Sequence, residues 1–544
     1  MKIKILATGA LIGGLLTASM ISIMYLAAQI AGLPFAPFDL FNWIARMLPG
    51  SVITFGIDLM IDTMLFLGIN VADSAKLAEQ GMAVMLFLIL GILTGAIFFI
   101  IIYTRKIKMD LLAGLVLGAL FGLPIVVISV GFGDAKVHAA FSFIWLLVLF
   151  LGWGLALGWS NRRLYQNDQE VSFPDEETQK VETLNRRQFL IVLGGAAAVI
   201  TVAGTGIGAL LSSAERRRRD QVLADSMAHQ SESPQDSPFP NADDPVVPAP
   251  GTRPEYTPLK DHYKVFIDLE TTEIDGASWH LPVTGLIARP LMLTTDDLRN
   301  NYEPRNQYVT LSCISGRVGT TLIGTTQWTG ASLQEVLADA QVKDDARYLV
   351  VSSGDGFHET IDLDLIASDD RIMLAYDWDG NPLSVDHGFP LRVWIPDRFG
   401  MKQPKWITSM ELVDEYREGY WVARGWDEIA QVKTTSVIDT IAVDAPIEQG
   451  DETLVPIGGI AFSGDRGISK VEIRVDGDSW QTAQLRSPLS ETTWVIWRYE
   501  WSFEDGAHTF EVRCQEGNGT PQIEEIKKSR PSGATGIHSK DATI

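Results

Sequence analysis

Long apolar runs separated by short polar breaks fill the first 214 residues, and after residue 258 the pattern changes to short alternating strands. Five stretches before residue 161 are apolar and nearly free of charge: Ile5–Ala31, Ser51–Asn70, Gly81–Thr104, Leu111–Gly133 and Val137–Ser160. A sixth, Phe189–Ala214, carries no charge and stands between Arg186-Arg187 and the run Arg216–Arg219. Crossing a hydrocarbon core of ~30 Å takes roughly 20 helical residues, so each of the six predicts a spanning helix. Pro34–Pro49, with Phe35, Phe38, Phe41 and Trp43, reads as an interfacial connector. Gly114, Gly118 and Gly122 recur every four residues, as do Gly154 and Gly158, a spacing that lets helices approach closely and predicts a packed bundle.

Between Ser231 and Pro258 eight prolines fall among Ser, Asp and Asn, which predicts an extended tether with no core. Beyond it, β-type runs at Tyr263–Leu269, Trp279–Val283, Gln307–Cys313, Tyr348–Ser352 and Leu391–Ile395 mix with helical patterns at Thr295–Asn300 and Ala331–Ala340, an α+β signature. From about Thr434 the alternation is almost unbroken, with Val455–Phe462, Lys470–Val475, Trp494–Trp501 and His508–Cys514 separated by turn residues, which predicts a β-sandwich. The expected organisation is a five-helix transmembrane region over 1–160, a loop over 161–188, a sixth membrane helix over 189–214, a Pro-rich linker over 215–259, an α+β domain over 260–433, a sandwich over 434–525 and a tail over 526–544.

Charge sharpens this division. Residues 1–219 hold 17 Lys/Arg and 14 Asp/Glu, residues 220–544 hold 27 and 53, so net charges of +3 and −26 make up the −23 of the whole chain. An acidic second half repels phosphodiester backbones and excludes nucleic acid as a partner. Arg105-Lys106-Ile107-Lys108 and the loop with Arg162, Arg163, Arg186 and Arg187 belong in the cytoplasm by the positive-inside rule. With six spans this puts the N-terminus outside, leaving Lys2, Lys4 and Arg216–Arg219 on the outer side. Asn185-Arg186-Arg187-Gln188-Phe189-Leu190 resembles a twin-arginine export signal and reads equally as a positive-inside pair; both place residues 220–544 outside the cytoplasm. Asp58 and Asp62 share a helix face, either as a proton- or quinone-linked site or as acids solvated by the bundle interior. His138 is the single histidine of the membrane half, so bis-histidine ligation of a transmembrane haem is not available.

Two cysteines exclude a disulfide scaffold, zinc ribbons and iron–sulfur clusters, and leave any thiol chemistry to Cys313 and Cys514. Cys514 falls in a sandwich strand and reads as core. Alone, Cys313 at the end of an apolar strand reads as a small buried hydrophobe. Within the same domain, however, lie Arg317, His387, Arg392 and Lys405, a soft sulfur donor with fixed cations nearby. Thiolate suits a soft or high-valent metal, and the cations suit an anionic cofactor or substrate. Arg392 could instead pair with Asp386, and His387 could be a turn residue.

The segments Trp279–Leu286, Thr310–Ser315 leading to Gln327–Gly330, Asp355-Gly356-Phe357, Asp386–Arg392, Lys405-Trp406-Ile407 and Tyr420–Trp426 together resemble the sulfite oxidase family of molybdopterin oxidoreductases, in its membrane-anchored bacterial branch. That resemblance implies a multidomain chain: an all-α transmembrane bundle, an α+β molybdopterin domain and an immunoglobulin-like sandwich, which in this family often mediates dimerisation. It implies Cys313 as sole protein ligand to molybdenum, and His387, Arg392, Gln403 and Lys405, with Tyr263 and Asp355, as residues holding the pterin and its phosphate. On the substrate side it offers Trp328 as an active-site aromatic and Arg317 as a cation, with Arg424 and Tyr420 as further candidates. The activity implied is two-electron oxygen-atom transfer on sulfite or a related small anion, or in reverse on a sulfoxide such as oxidised methionine. A membrane protein that keeps the fold without the cofactor is the non-enzymatic alternative. No haem motif, flavin fingerprint or cluster cysteines are present, so a separate redox partner, a cytochrome or quinone-linked protein, is implied.

Overall fold

The computed structural model describes residues 2–67, 71–105, 110–133, 137–165, 186–228 and 238–544. Most of the loop expected over 161–188, and residues 229–237 of the linker, lie outside them. Two compact units are formed, one from residues 1–56 and 75–222, the other from 57–74 and 223–544.

The first unit is helical: α1 Lys2–Ala31, α2 Ala36–Met47, α3 Gly50–Phe66, α4 Val71–Arg105, α5 Asp110–Phe132, α6 Ala139–Tyr165 and α7 Arg186–Ala228, with most of α3, the start of α4 and the end of α7 belonging to the second unit. Among the described residues, five segments are long and apolar enough to cross a bilayer: Lys2–Ala31, Lys76–Arg105, Asp110–Phe132, Ala139–Leu164 and Arg187–Ala214. The expected second span is not among them. Its helix ends at Phe66 after 17 residues, which at 1.5 Å per residue reaches about 25 Å, short of a ~30 Å core. The two glycine rows of α5 and α6 face each other: a Cβ on Gly114 would stand 2.2 Å from the Gly154 carbonyl oxygen, and one on Gly118 2.5 Å from that of Phe150. Backbone contact this close requires glycine.

The second unit holds four sheets. Strand Leu281–Gly285 pairs with Leu291–Leu293 on one side and, in parallel, with Ile407–Val413 on the other; Tyr348–Ser353 and His358–Asp362 complete that sheet. Helices Thr295–Asn300, Leu333–Ala340 and Leu363–Ser368 supply its cover, with Leu298, Val336, Leu337 and Ile366 buried in one core with Val283, Leu349 and Leu412. A second, antiparallel sheet runs Pro304–Ser312, Ile323–Ser332, Met373–Trp378 and Asn381–Pro382, with Arg392–Trp394 also pairing Met373–Trp378. Its core is aromatic: Tyr263, Trp328, Trp378 and Trp394.

The remaining two sheets, one built on Glu452–Phe462 and Val495–Ser502, the other on Ile468–Val475 and Ala507–Glu516, share a core of Val455, Ile457, Trp497, Ile473, Phe510 and Cys514. The expected tail over 526–544 is not loose: His538–Thr543 pairs with Ala507–Glu516 and completes the second sheet. Its polar sequence, His-Ser-Lys-Asp-Ala-Thr, carries no apolar alternation to announce a strand. The described end of the linker is also docked. Arg486 bonds Glu255 at 3.1 Å and the Asn241 carbonyl at 2.9 Å, and Arg253 pairs with Asp439 at 2.6 Å, so polar contacts fix a proline-rich segment that has no core of its own.

The turn Gly400–Lys402 is fixed by a buried ion pair, Lys402 Nζ to Glu359 Oε1 at 2.6 Å, both side chains under a tenth exposed. Removing one member of such a pair strands a buried charge. Glu359→Ala is expected to lose about 3–5 kcal/mol of stability, read from the denaturant midpoint, and Glu359→Leu combined with Lys402→Met to recover most of it. A single replacement as mild as the double one would show that the pair does not hold the turn.

Candidate functional site

Cys313 follows the strand Pro304–Ser312, where the chain leaves the sheet. Its backbone N–H donates to the Leu322 carbonyl at 2.9 Å and its carbonyl accepts from Gly316 N at 3.1 Å, so the cysteine sits on a tight turn. Sγ lies 3.1 Å from Ser315 Oγ. The residue is half-buried and lines an open cleft of about 400 Å³, bordered also by Arg317, Ile323, Phe399, Lys433 and Phe462. Burial raises the thiol above its ordinary range, opposed by the Ser315 hydrogen bond and the Lys405 charge.

Behind the cysteine stands Arg392, 2% exposed. One Nη donates to the His387 carbonyl at 3.0 Å, the guanidinium lies 4.3 Å over the Trp328 ring, and Nε has no partner. Among the described residues it meets no carboxylate. Asp386, the acid nearest in sequence, is bound by Lys264 at 2.6 Å and Thr271 at 2.8 Å instead. Burial pulls Arg392 down to about 10, which leaves it charged at neutral pH.

His387 ends the short turn Val385–His387, closed by Gly388 at φ +113°. Burial and the neighbouring His262, Lys405 and Arg392 hold its ring well below the ordinary value, so it is neutral. Lys405 donates to the Val265 and Asp386 carbonyls at 3.1 and 3.2 Å and stacks 4.3 Å from Trp406. Gly400 stands against the Tyr263 hydroxyl, where a Cβ would lie 3.2 Å from it. Burial raises Tyr263, and the negative field of Cys313 raises it further. Gln403 donates its amide to the Ile395 and Arg398 carbonyls at 3.2 and 2.9 Å and leaves only Oε1 free. Asp355 is buried, accepts from Phe357 N at 3.0 Å, and is pushed up to about 6 by burial.

Three expected substrate residues are elsewhere. Trp328 is 0% exposed and lines no part of the cleft; strand pairing on both edges turns its ring inward onto Arg392. Arg424 folds back within its own turn, donating to the Tyr420 carbonyl at 2.8 Å with its guanidinium 3.7 Å over the Tyr420 ring. Tyr420 in turn packs on Phe357 and Trp421. Arg317 does reach the cleft, half exposed, and pairs with Asp62.

Sequence reasoning passed over three residues. Lys433 adds a cation to the cleft. His262 packs edge to face with His387 at 5.4 Å between ring centres and Trp378 packs at a tilt with it at 4.7 Å, and burial holds His262 down to about 3. The dipeptide His262-Tyr263 was the available signal; nothing local marked Trp378 or Lys433.

The Tyr263 hydroxyl, the Trp328 and Trp378 indole nitrogens, His387 Nε2 and Arg392 Nε are thus buried without partners in one neighbourhood, beside a sulfur. Buried polar groups are almost always satisfied, and a cluster of free donors around an uncompensated cation suits an anionic, acceptor-rich group. A cysteine at a cleft beside such a cluster fits the molybdopterin-type oxidoreductase domain that the sequence resembles. Residues 268–421 match the oxidoreductase molybdopterin binding domain. The chain is 27% identical over 260 residues to a nitrate reductase [NADPH] of Fusarium oxysporum, covering 39% of this chain and 29% of that protein. It is 28% identical over 277 residues to mouse mitochondrial sulfite oxidase, covering 42% and 50%. An uncharacterized oxidoreductase of Bacillus subtilis, YuiH, is 29% identical over 154 residues, covering 28% and 74%. Residues 268–421 thus form an oxidoreductase molybdopterin binding domain, similar in sequence to that of sulfite oxidases and nitrate reductases, and its cofactor is molybdenum bound to molybdopterin. The chain spans about a third of the length of the nitrate reductases and half that of the sulfite oxidases it matches.

Because burial disfavours the thiolate, alkylation of Cys313 in cofactor-free protein is expected to switch on with a midpoint above the ordinary cysteine value of about 8.5. Cys514, buried and pushed up to about 12, should stay unreacted. Peptide mapping across a pH series checks both; a midpoint below 8 would contradict the burial argument.

Proposed function

We infer that the chain is a membrane-anchored oxidoreductase whose catalytic domain faces away from the cytoplasm and acts on a small oxyanion such as sulfite. The observation that carries this is the pairing of a cleft-lining Cys313 with a buried, uncompensated Arg392. When bound, the cofactor supplies two-electron oxygen-atom transfer. Cys313 would be its protein ligand through sulfur. Arg392 and Lys405 would bind its phosphate, and Tyr263 and His387 would hold the pterin. Gln403 offers one acceptor, and Asp355 sets the field at Lys405. Arg317 and Lys433 draw an anion into the cleft. Electrons pass to a separate redox protein, a cytochrome or quinone-linked partner, and the net −26 of residues 220–544 favours one with a basic face. The paired sheets after residue 434 form the immunoglobulin-like module, through which the chain dimerises.

Five spans, in place of six, revise the topology. With Arg105–Lys108 and the 166–185 loop kept in the cytoplasm, the N-terminus moves to the cytoplasmic side, where Lys2 and Lys4 also satisfy the positive-inside rule. The catalytic domain stays outside, and α3 lies on that same side.

A second reading, reduction of a sulfoxide such as oxidised methionine, is favoured by the apolar walls Ile323, Phe399, Val432 and Phe462, which fit a thioether chain better than an inorganic ion. Molybdenum analysis, followed by sulfite oxidation and sulfoxide reduction assays on the same preparation, separates the two. Cys313→Ser should lose turnover in either; molybdenum bound with activity intact would reject the ligand assignment. For an oxyanion, Lys433→Gln should raise KM about tenfold with little change in kcat, as expected when a charge-assisted contact worth ~1.4 kcal/mol is removed. An unchanged KM for sulfite favours the sulfoxide reading.

A further inference from the structure

A guanidinium taken out of water is costly unless something answers its charge, and the usual answer is a carboxylate. Arg392 meets none among the described residues, and Asp386 is committed to Lys264 and Thr271. What covers its face is the Trp328 indole, at 4.3 Å. Trp328 cannot swing away: it is 0% exposed, paired through its backbone to Gln307 and Trp378 on neighbouring strands, with the Trp378 ring 5.9 Å from its own. Indole is the strongest aromatic face for a cation. Such a contact differs from an ion pair in one respect that matters here: it attracts the cation without cancelling its charge. The other groups around the guanidinium preserve that state, since His262 and His387 are neutral and the His387 carbonyl takes a single hydrogen bond.

We propose that Trp328 is a positioning residue that stands in for a counterion of Arg392, fixing the guanidinium while leaving its charge available to the cofactor's phosphate. This rests on the cofactor-binding reading given above. It also explains why so large a ring, which lines no cleft, occupies the centre of the second sheet.

The test follows release of pterin from purified full-length holoenzyme by fluorescence of the freed pterin. Trp328→Leu, which keeps an apolar filling but no π face, should release about tenfold faster than wild type, the equivalent of ~1.4 kcal/mol. Trp328→Phe, with a weaker face, should fall between. In an Arg392→Met background the Leu replacement should add less than twofold, because no cation remains for the face to hold. An effect of Trp328→Leu as large in that background as in wild type would show that the indole only fills space, and would overturn the proposal. If the Leu protein does not fold, the same cycle run with Trp328→Phe decides by the same criterion. Wild-type protein that carries no pterin would overturn the reading of the site itself, and the proposal with it.

Discussion

The second unit is organised around one unpaid electrostatic demand, a fixed positive charge inside a protein core that meets no carboxylate among the described residues. Arg392 lies on the short strand Arg392–Trp394, reached through the turn that presents His387, and is floored by Trp328. Everything nearby is arranged so that the charge persists. Local acids are tied to other partners, the histidines are neutral, and the lysine alongside is held by carbonyl oxygens. A natural core avoids such an arrangement unless a ligand completes it.

The cysteine turn borders the cleft, and Cys313 also packs against the aromatic core that holds Tyr263 and Trp328. Strand Pro304–Ser312 delivers Cys313 to the boundary, with the donors behind it and the cleft in front. The cleft is closed from the far side by residues of the sandwich and the segment leading into it, Val432, Lys433 and Phe462. Arg466 braces this wall, donating to the Val432 carbonyl at 2.8 Å while bonding Glu516 at 3.0 Å and pairing with Asp397.

The legible parts of the sequence were those whose chemistry conflicts with their surroundings. Cys313, His387, Arg392 and Lys405 stand out because thiol, imidazole and cations interrupt apolar strand patterns, and the structure gathers all four into one neighbourhood. Trp328, Tyr420 and Arg424 enter as active-site candidates only through the family resemblance, which carries no information on where their side chains point. Which way a side chain faces depends on strand pairing and turn geometry: Trp328 is turned inward by its pairing, and Arg424 back on itself by a turn ending in Gly425 at φ +82°. Hydropathy likewise counted the apolar residues of Ser51–Asn70 without seeing that the helix stops at Phe66. The polar strand His538–Thr543 had no pattern to find, because its place in the sheet is set by backbone pairing.

The cleft wall contributed by the sandwich divides the labour of the site between two parts of the chain. On the proposed reading, the residues that would hold the cofactor lie in the α+β domain, while Phe462 of the sandwich, with Val432 and Lys433 of the segment leading into it, lines only the cleft. On that reading, selection acting on the latter group would alter which molecules are accepted without disturbing the residues that would hold the metal. Descendants of one ancestral catalyst could therefore diverge in diet while keeping an unchanged engine.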